Sequence, residues 1–279
     1  AKEAYEFALT KPGAQQTASV VSPYIYAEDN WADDMELAAI QLDYLGQGGE
    51  YIEEALKYAA MEPVTPWMGA DTASHYQWYP FVNLGHYFLA QNAKGAERDT
   101  VIAYMKKGLE GILKRGETNP FLNGVPFIWC SNNLVAAAIT QCRLYQQLTG
   151  SDEFAEMEAS LRDWLFGCNP WGTSMIVGLP SWGDYPEDPH SSYRDGGKKL
   201  AATPGGLVDG PVYSTIYNGL IGIRLSKEDV YAPFQTTLCV YHDDYGDYST
   251  NEPTMDGTAS LSFYLSAMQQ MGQKQAEGK

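Results

Sequence analysis

The sequence predicts an all-α fold of stacked antiparallel helix pairs, either a solenoid or a closed α/α barrel. Three observations carry this. Apolar residues recur at 3.6-residue spacing through the first two-thirds of the chain, short turns join the periodic runs, and almost no segment alternates with the period of a strand. No repeat of fixed period runs through the sequence, which disfavours the solenoid.

The elements follow in order. Trp31, Met35, Ala38, Leu42 and Leu45 share a face, with Asn30 as cap and Gly46, Gly48 and Gly49 as the stop. A short helix is expected over Tyr51 to Tyr58. Another follows Trp78, with Val82, His86 and Leu89 on one side. Glu97 to Lys114 carries Val101, Tyr104, Met105, Leu109 and Ile112. Ser131 opens a run to Leu148 that Gly150 ends, and Ser151 caps the next, with Phe154, Met157, Leu161, Trp164 and Leu165 aligned. Thr258 opens the last helix, with Leu261, Leu265 and Met268 on its face. Between Gly167 and Gly257 the periodicity fades, apart from short candidates after Pro211 and over Asp229 to Thr237. So long an irregular stretch in a compact domain is functional or disordered, and its many aromatic residues argue against disorder.

Composition narrows the functional classes. The chain of 279 residues is 44% hydrophobic and 13% aromatic, with 20 tyrosines and seven tryptophans, side chains that build cores and also line sugar-binding clefts. A formal charge of −17 argues against nucleic-acid partners and against attraction to an anionic membrane. No apolar run reaches the length of a membrane span. Cys130, Cys142, Cys168 and Cys239 are widely spaced without a CxxC pair, so buried thiols are expected, with a disulfide left open.

The stretch from His242 to Leu261 concentrates Asp243, Asp244, Asp247, Glu252 and Asp256. As a calcium loop counted from Asp243 it fails, since Tyr245, Tyr248 and Thr254 occupy the ligand, glycine and glutamate positions of an EF-hand; a less regular calcium site stays open. The four histidines have no zinc spacing, and neither GxSxG nor a phosphate loop occurs. Two readings remain, a solvated acidic turn and a loop that aims one carboxylic acid at a glycosidic oxygen. Such an acid must keep its proton near neutral pH, which partial burial and neighbouring carboxylates favour; Asp247 and Asp256 stand near Glu252 in sequence.

These residues resemble a known signature. Asp247-Tyr248-Ser249-Thr250-Asn251-Glu252 is similar to the Asp-Tyr-x-x-Asn-Glu segment of glycoside hydrolase family 9. In the same order, "IWCSNNLVAAA" resembles its Trp-Gly-Ser-Asn stretch and "CNPWGTSMIVGLP" its Asn-Pro-x-x-x-Ser motif. "PEDPHSS" is similar to its Pro-His-His-Arg loop, "GGLVDGPV" to its Gly-Gly-Pro segment and "DNWADDMELAA" to a mid-barrel helix. The resemblance spans Tyr24 to Met268. It implies an (α/α)6 barrel with long irregular active-site loops that cuts β-1,4 bonds of a cellulose-type glucan with inversion. Glu252 would be the general acid, and His190, Asp247, Tyr248 and Trp129 the substrate-binding or buttressing residues. No cofactor is expected, with a structural calcium ion left open; the partner expected is a β-linked polysaccharide or oligosaccharide, and the location secreted or periplasmic.

Departures from the pattern point to a differently shaped subsite. Ser191 and Ser192 stand where the family has His and Arg, with Arg194 shifted by two; Tyr245 stands where an Arg commonly precedes the Asp-Tyr pair. Gly257 replaces an aromatic, and Asp209 and Val212 alter the Gly-Gly-Pro segment. An acidic pocket favours a cationic amino sugar, so an exo-β-glucosaminidase acting on chitosan oligosaccharides is the alternative. The family's Asp-Ala-Gly-Asp segment, which carries the general base, does not occur. Roughly seven helical runs are legible, against about twelve in the closed barrel. Residues 1–279 therefore read as the C-terminal portion of a catalytic domain, opening at Ala1 as a processed chain or a fragment and inactive without its N-terminal half. The rival is a non-catalytic carbohydrate-binding or scaffold protein on the same half-barrel.

Overall fold

The computed structural model describes residues 1–13, 31–46, 50–70, 81–195 and 203–278. The expected cap at Asn30, the glycines at 48 and 49 and the start after Trp78 lie outside them. The order of helices is α1 (Lys2–Leu9), α2 (Ala32–Tyr44), α3 (Glu50–Met61), α4 (Pro66–Gly69), α5 (Leu84–Asn92), α6 (Gly95–Gly116), α7 (Ser131–Thr149), α8 (Ala155–Leu165), α9 (Ser214–Tyr217) and α10 (Met255–Ala276). The chain divides into two compact units, Ala1–Ile112 with Leu144–Glu153, and Leu113–Arg143 with Phe154–Lys279.

In the first unit α2, α3 and α5 pack on one another through Met35, Ala39, Ile40, Leu42, Ala55, Tyr58, Leu89 and Ala90. The expected stripe on α2 needs correction. Leu45 is the C-cap and is 64% exposed, whereas Asp33 and Glu36 are buried. A hydrophobic stripe cannot register acids that are buried with partners. Glu36 has two: Asn83 Nδ2 donates to its Oε2 at 2.9 Å and His86 Nδ1 meets its Oε1 at 2.8 Å. The side chain of Asn83 caps α5 by accepting from the His86 amide.

In the second unit, residues 131–143 of α7 are buried on every side. Arg143 pairs with Glu158 of α8, and Tyr264 of α10 donates to the same Glu158 oxygen at 2.9 Å. α10 starts at Met255, three residues before the expected opening, and buries Gly257, Leu261 and Tyr264 while Leu265 is exposed. Its start is set by the close approach to α7: a Cβ on Gly257 would come within 1.9 Å of Asn133 Oδ1. That packing accounts for glycine in place of an aromatic.

Two short antiparallel pairs interrupt the loops. β1 (Leu207–Val208) pairs with β4 (Pro253–Thr254), and β2 (Val212–Tyr213) with β3 (Cys239–Val240). Two-residue strands are too short to show alternation. The candidate helix after Pro211 is α9; that over Asp229 to Thr237 shrinks to one 3-10 turn, Ala232–Phe234. The cysteines are free thiols, and Cys168, expected buried, is exposed. No helix among the described residues is long and apolar enough to cross a membrane.

Candidate active site

All of the site residues lie in the second unit. The register of β1 on β4 is what aims the acidic loop. It pairs Val208 with Pro253, and the next residues continue the contact, the Asp209 amide donating to Glu252 O at 2.9 Å and the Gly210 amide to Thr250 O at 3.1 Å. The backbone of the candidate acid is thus clamped to a second segment.

The other acids of the loop hold it together. Asp243 accepts the amides of Glu187 and Asp188 at 2.9 and 3.0 Å and Asn251 Nδ2 at 3.1 Å, tying the His190 loop to the acid segment. Asp244 accepts the Ser226 amide at 2.8 Å, its hydroxyl at 2.9 Å and the Gly246 amide at 2.7 Å. Asp247 has no exposed surface. Its Oδ1 accepts the amide and hydroxyl of Ser249 at 2.8 and 2.6 Å, and its Oδ2 meets Thr250 Oγ1 and His242 Nδ1, both at 2.8 Å. In a segment with almost no ladder bonds, these carboxylates satisfy backbone amides that would otherwise be buried without acceptors.

Their protonation follows from this. Burial alone would raise Asp247, but the bonds from His242, Ser249 and Thr250 overcome it and hold the carboxyl below its ordinary value. For Asp243 burial wins over the Glu187 and Asp188 amides, Lys227 and Asn251, and its value rises. Tyr217, whose ring lies 4.9 Å from that of His242, is pushed up to about 12 by burial and then by Asp247, Asp229 and Asp244.

Glu252 differs from all of these. Its side chain is exposed, against the partial burial expected of it, and makes no hydrogen bond or ion pair with a described residue. Nothing among the described residues covers it. Tyr248 links the other predicted residues. Its ring stacks on Trp129 with centroids 6.0 Å apart and planes at 16°, meets His190 edge-on at 6.1 Å, and its hydroxyl donates to Ile221 O at 2.9 Å. His190 is tied at both ends, its amide donating to Asn251 O at 2.9 Å and its Nδ1 to Tyr245 O at 2.7 Å, which fixes the ring. Trp129, Tyr248 and His190 therefore form one ring cluster, and the Asn251 carbonyl, one residue before Glu252, accepts the His190 amide.

The departures also have places. Ser192 is fully buried and Ser191 Oγ lies 3.0 Å from Thr203 Oγ1, so neither presents a charge. Tyr245 offers His190 a backbone carbonyl. Sequence reasoning did not single out His242 or Cys130, whose partners Asp247 and Asp209 are set by loop packing. Among the described residues no cluster of His, Cys, Asp and Glu is arranged to hold a metal ion.

Comparison with known proteins follows the geometry. The family model described as "Glycosyl hydrolase family 9" matches residues 1–265. No curated protein matches. Among solved structures, a metagenome-derived family 9 endoglucanase aligns at TM-score 0.67 and 21% identity, covering 94% of this chain and 45% of its own. AaCel9A in complex with cellobiose-like isofagomine aligns at TM-score 0.71 and 19% identity, with 96% and 49% covered. The cellulase Cel9M of C. cellulolyticum aligns at 0.62 and 18%, with 93% and 54% covered. At such identities the likeness shows the fold, the all-α (α/α)6 barrel class, and the chain spans about half the length of those proteins.

Proposed function

The chain belongs to glycosyl hydrolase family 9, and on that premise we propose that it supplies the acid half of a glycosidase acting on β-1,4-linked, cellulose-type glucan. The observation that carries the reading is the contrast within one loop: Asp243, Asp244 and Asp247 are consumed as anchors, while Glu252 alone is held by its backbone and leaves its carboxyl exposed. A carboxyl so presented is open to the oxygen of a glycosidic bond. The rings of Trp129 and Tyr248 offer apolar faces to a pyranose, and His190 is oriented beside them. The complex of AaCel9A with cellobiose-like isofagomine is in keeping with this.

Inversion requires a second carboxylate, about 6.5–9.5 Å from the acid, to activate water. We place it in an N-terminal segment that completes the barrel. The exposed Met255, Phe263 and Leu265 along α10 are apolar surface that such a segment would cover. The isolated chain is then inactive, and the location we propose is secreted or periplasmic. With the N-terminal segment supplied in cis or in trans, Glu252→Gln should lower turnover of β-1,4-glucan by at least about a hundredfold. An aryl cellobioside, whose leaving group needs little protonation, should lose far less. Equal losses on both, or robust hydrolysis by the isolated chain, would overturn the assignment. Chitosan oligosaccharides belong in the same assay, because the net charge of −17 and the missing guanidinium at 192 and 245 favour a cationic sugar.

A further inference from the structure

Two unfavourable features face one another behind the candidate acid. Cys130 adopts a left-handed backbone, φ 57°, which is unfavourable for a residue with a side chain and is occupied where surrounding contacts enforce it. Asp209 is a buried carboxyl with 2% of its surface exposed, and no cation is found against it among the described residues. The two meet: Cys130 Sγ donates to Asp209 Oδ1 at 3.1 Å. Both stand where the family pattern described above has glycine, in the Trp-Gly-Ser-Asn stretch and in the Gly-Gly-Pro segment.

The main chain of Asp209 is a junction. Its carbonyl accepts the Asn132 amide at 2.9 Å and its amide donates to Glu252 O at 2.9 Å, so it joins the start of α7 to the acid. The turn is tight. Gly210 has φ 90°, and a Cβ there would come within 2.4 Å of the Asn132 side chain. Asn132 Oδ1, buried in the same turn, has no donor among the described residues, while its Nδ2 donates to Val208 O.

We propose that Asp209, kept as a neutral carboxylic acid and hydrogen-bonded by the Cys130 thiol, is a positioning residue that locks the Glu252 backbone to the start of α7. The role in catalysis rests on Glu252 being the acid, as proposed above; the lock itself does not. Electrostatics agrees with the geometry. Burial raises Asp209 well above the ordinary carboxylate range, and the charges of Glu252 and Asp247 add to this against the opposing bond from Cys130. The thiol is raised too, by burial and then by Asp209, so Cys130 stays the donor.

The test uses the full 279-residue chain. With 13C-carboxyl aspartate labelling, the resonance that disappears in Asp209→Asn should show the shift of a neutral acid at about pH 6, where an ordinary aspartate is ionised. Asp209→Ala should speed hydrogen exchange of the residue-209 amide more than about tenfold, leaving amides near Leu161 of α8 unchanged. Cys130→Gly should do so to a smaller extent, and Asp209→Asn, neutral and of the same shape, should preserve protection. If Asp209→Ala does not fold, the double variant Cys130→Gly with Asp209→Gly carries the same comparison. An ionised Asp209 at pH 6, unchanged exchange, or a loss shared equally with α8 would each overturn the proposal. None of these readouts depends on activity, so a failure of Glu252→Gln in the leaving-group assay would sink the acid assignment separately.

Discussion

Each of the two units buries one carboxylate against one histidine at the same distance, and the pairs do different work. In the first unit Glu36 meets His86 at 2.8 Å and joins α2 to α5, elements 50 residues apart with apolar side chains around them. In the second, Asp247 meets His242 at 2.8 Å, and its side-chain hydrogen-bond partners lie within five residues of it. The first pair adds a polar tie to a helix interface that burial already drives together. The second replaces secondary structure, because the loop has few ladder bonds to hold its shape. The difference teaches that the acids of the loop stand in where hydrogen-bonded architecture is thin, and that the acid proposed for chemistry is the one left over.

The comparison can be broken most forcefully at Asp247. Asp247→Ala removes the acceptor of four bonds from the loop and leaves buried His242 with only Asp229, 3.6 Å from its other ring nitrogen. Loss of one partner of a buried pair costs about 3–5 kcal/mol, which urea titration would read. Amide protection over 242–251 should fall with it. Glu36→Gln should cost about 2–4 kcal/mol, since glutamine keeps one acceptor, and loop protection in the second unit should be unchanged. If Glu36→Gln loosened that loop, the two pairs would not be independent.

Asp33 sharpens the contrast with the opposite sign. Burial, then Asp34, raises its carboxyl to about 7. Between its ordinary value near 4 and about 7 the folded chain binds more protons than the unfolded chain, so stability falls as pH rises through that window. Asp33→Asn should flatten the fall and stabilise the chain by about 2 kcal/mol at neutral pH, seen in thermal melts across the window. Asp247 behaves conversely: its contribution is present above the ordinary value and is lost as pH falls through its depressed one. The smallest expected effect is at Gly257. Alanine improves helix propensity by up to about 1 kcal/mol, yet the new Cβ would strike Asn133 Oδ1. A net loss of about 1–2 kcal/mol is expected, and a gain would show that α10 can move away from α7.

What was legible in the sequence was local. Ser131 at the start of α7, the run of Val101, Met105, Leu109 and Ile112 on α6, and the family signature ending in Glu252 could be read because helix spacing and short motifs repeat within a few residues of themselves. The sequence by itself also marked the region after Gly167 as the place where chemistry would lie. Tertiary structure alone decided the rest. It chose Leu261 and Tyr264 over Leu265 as the buried face of α10, made Glu36 a core residue, turned three aspartates into anchors, and set Cys130 against Asp209. Those choices depend on partners 50 to 80 positions away or on loop backbones with no period. A carboxylate's fate is settled by which donors reach it, and no spacing along the chain encodes that.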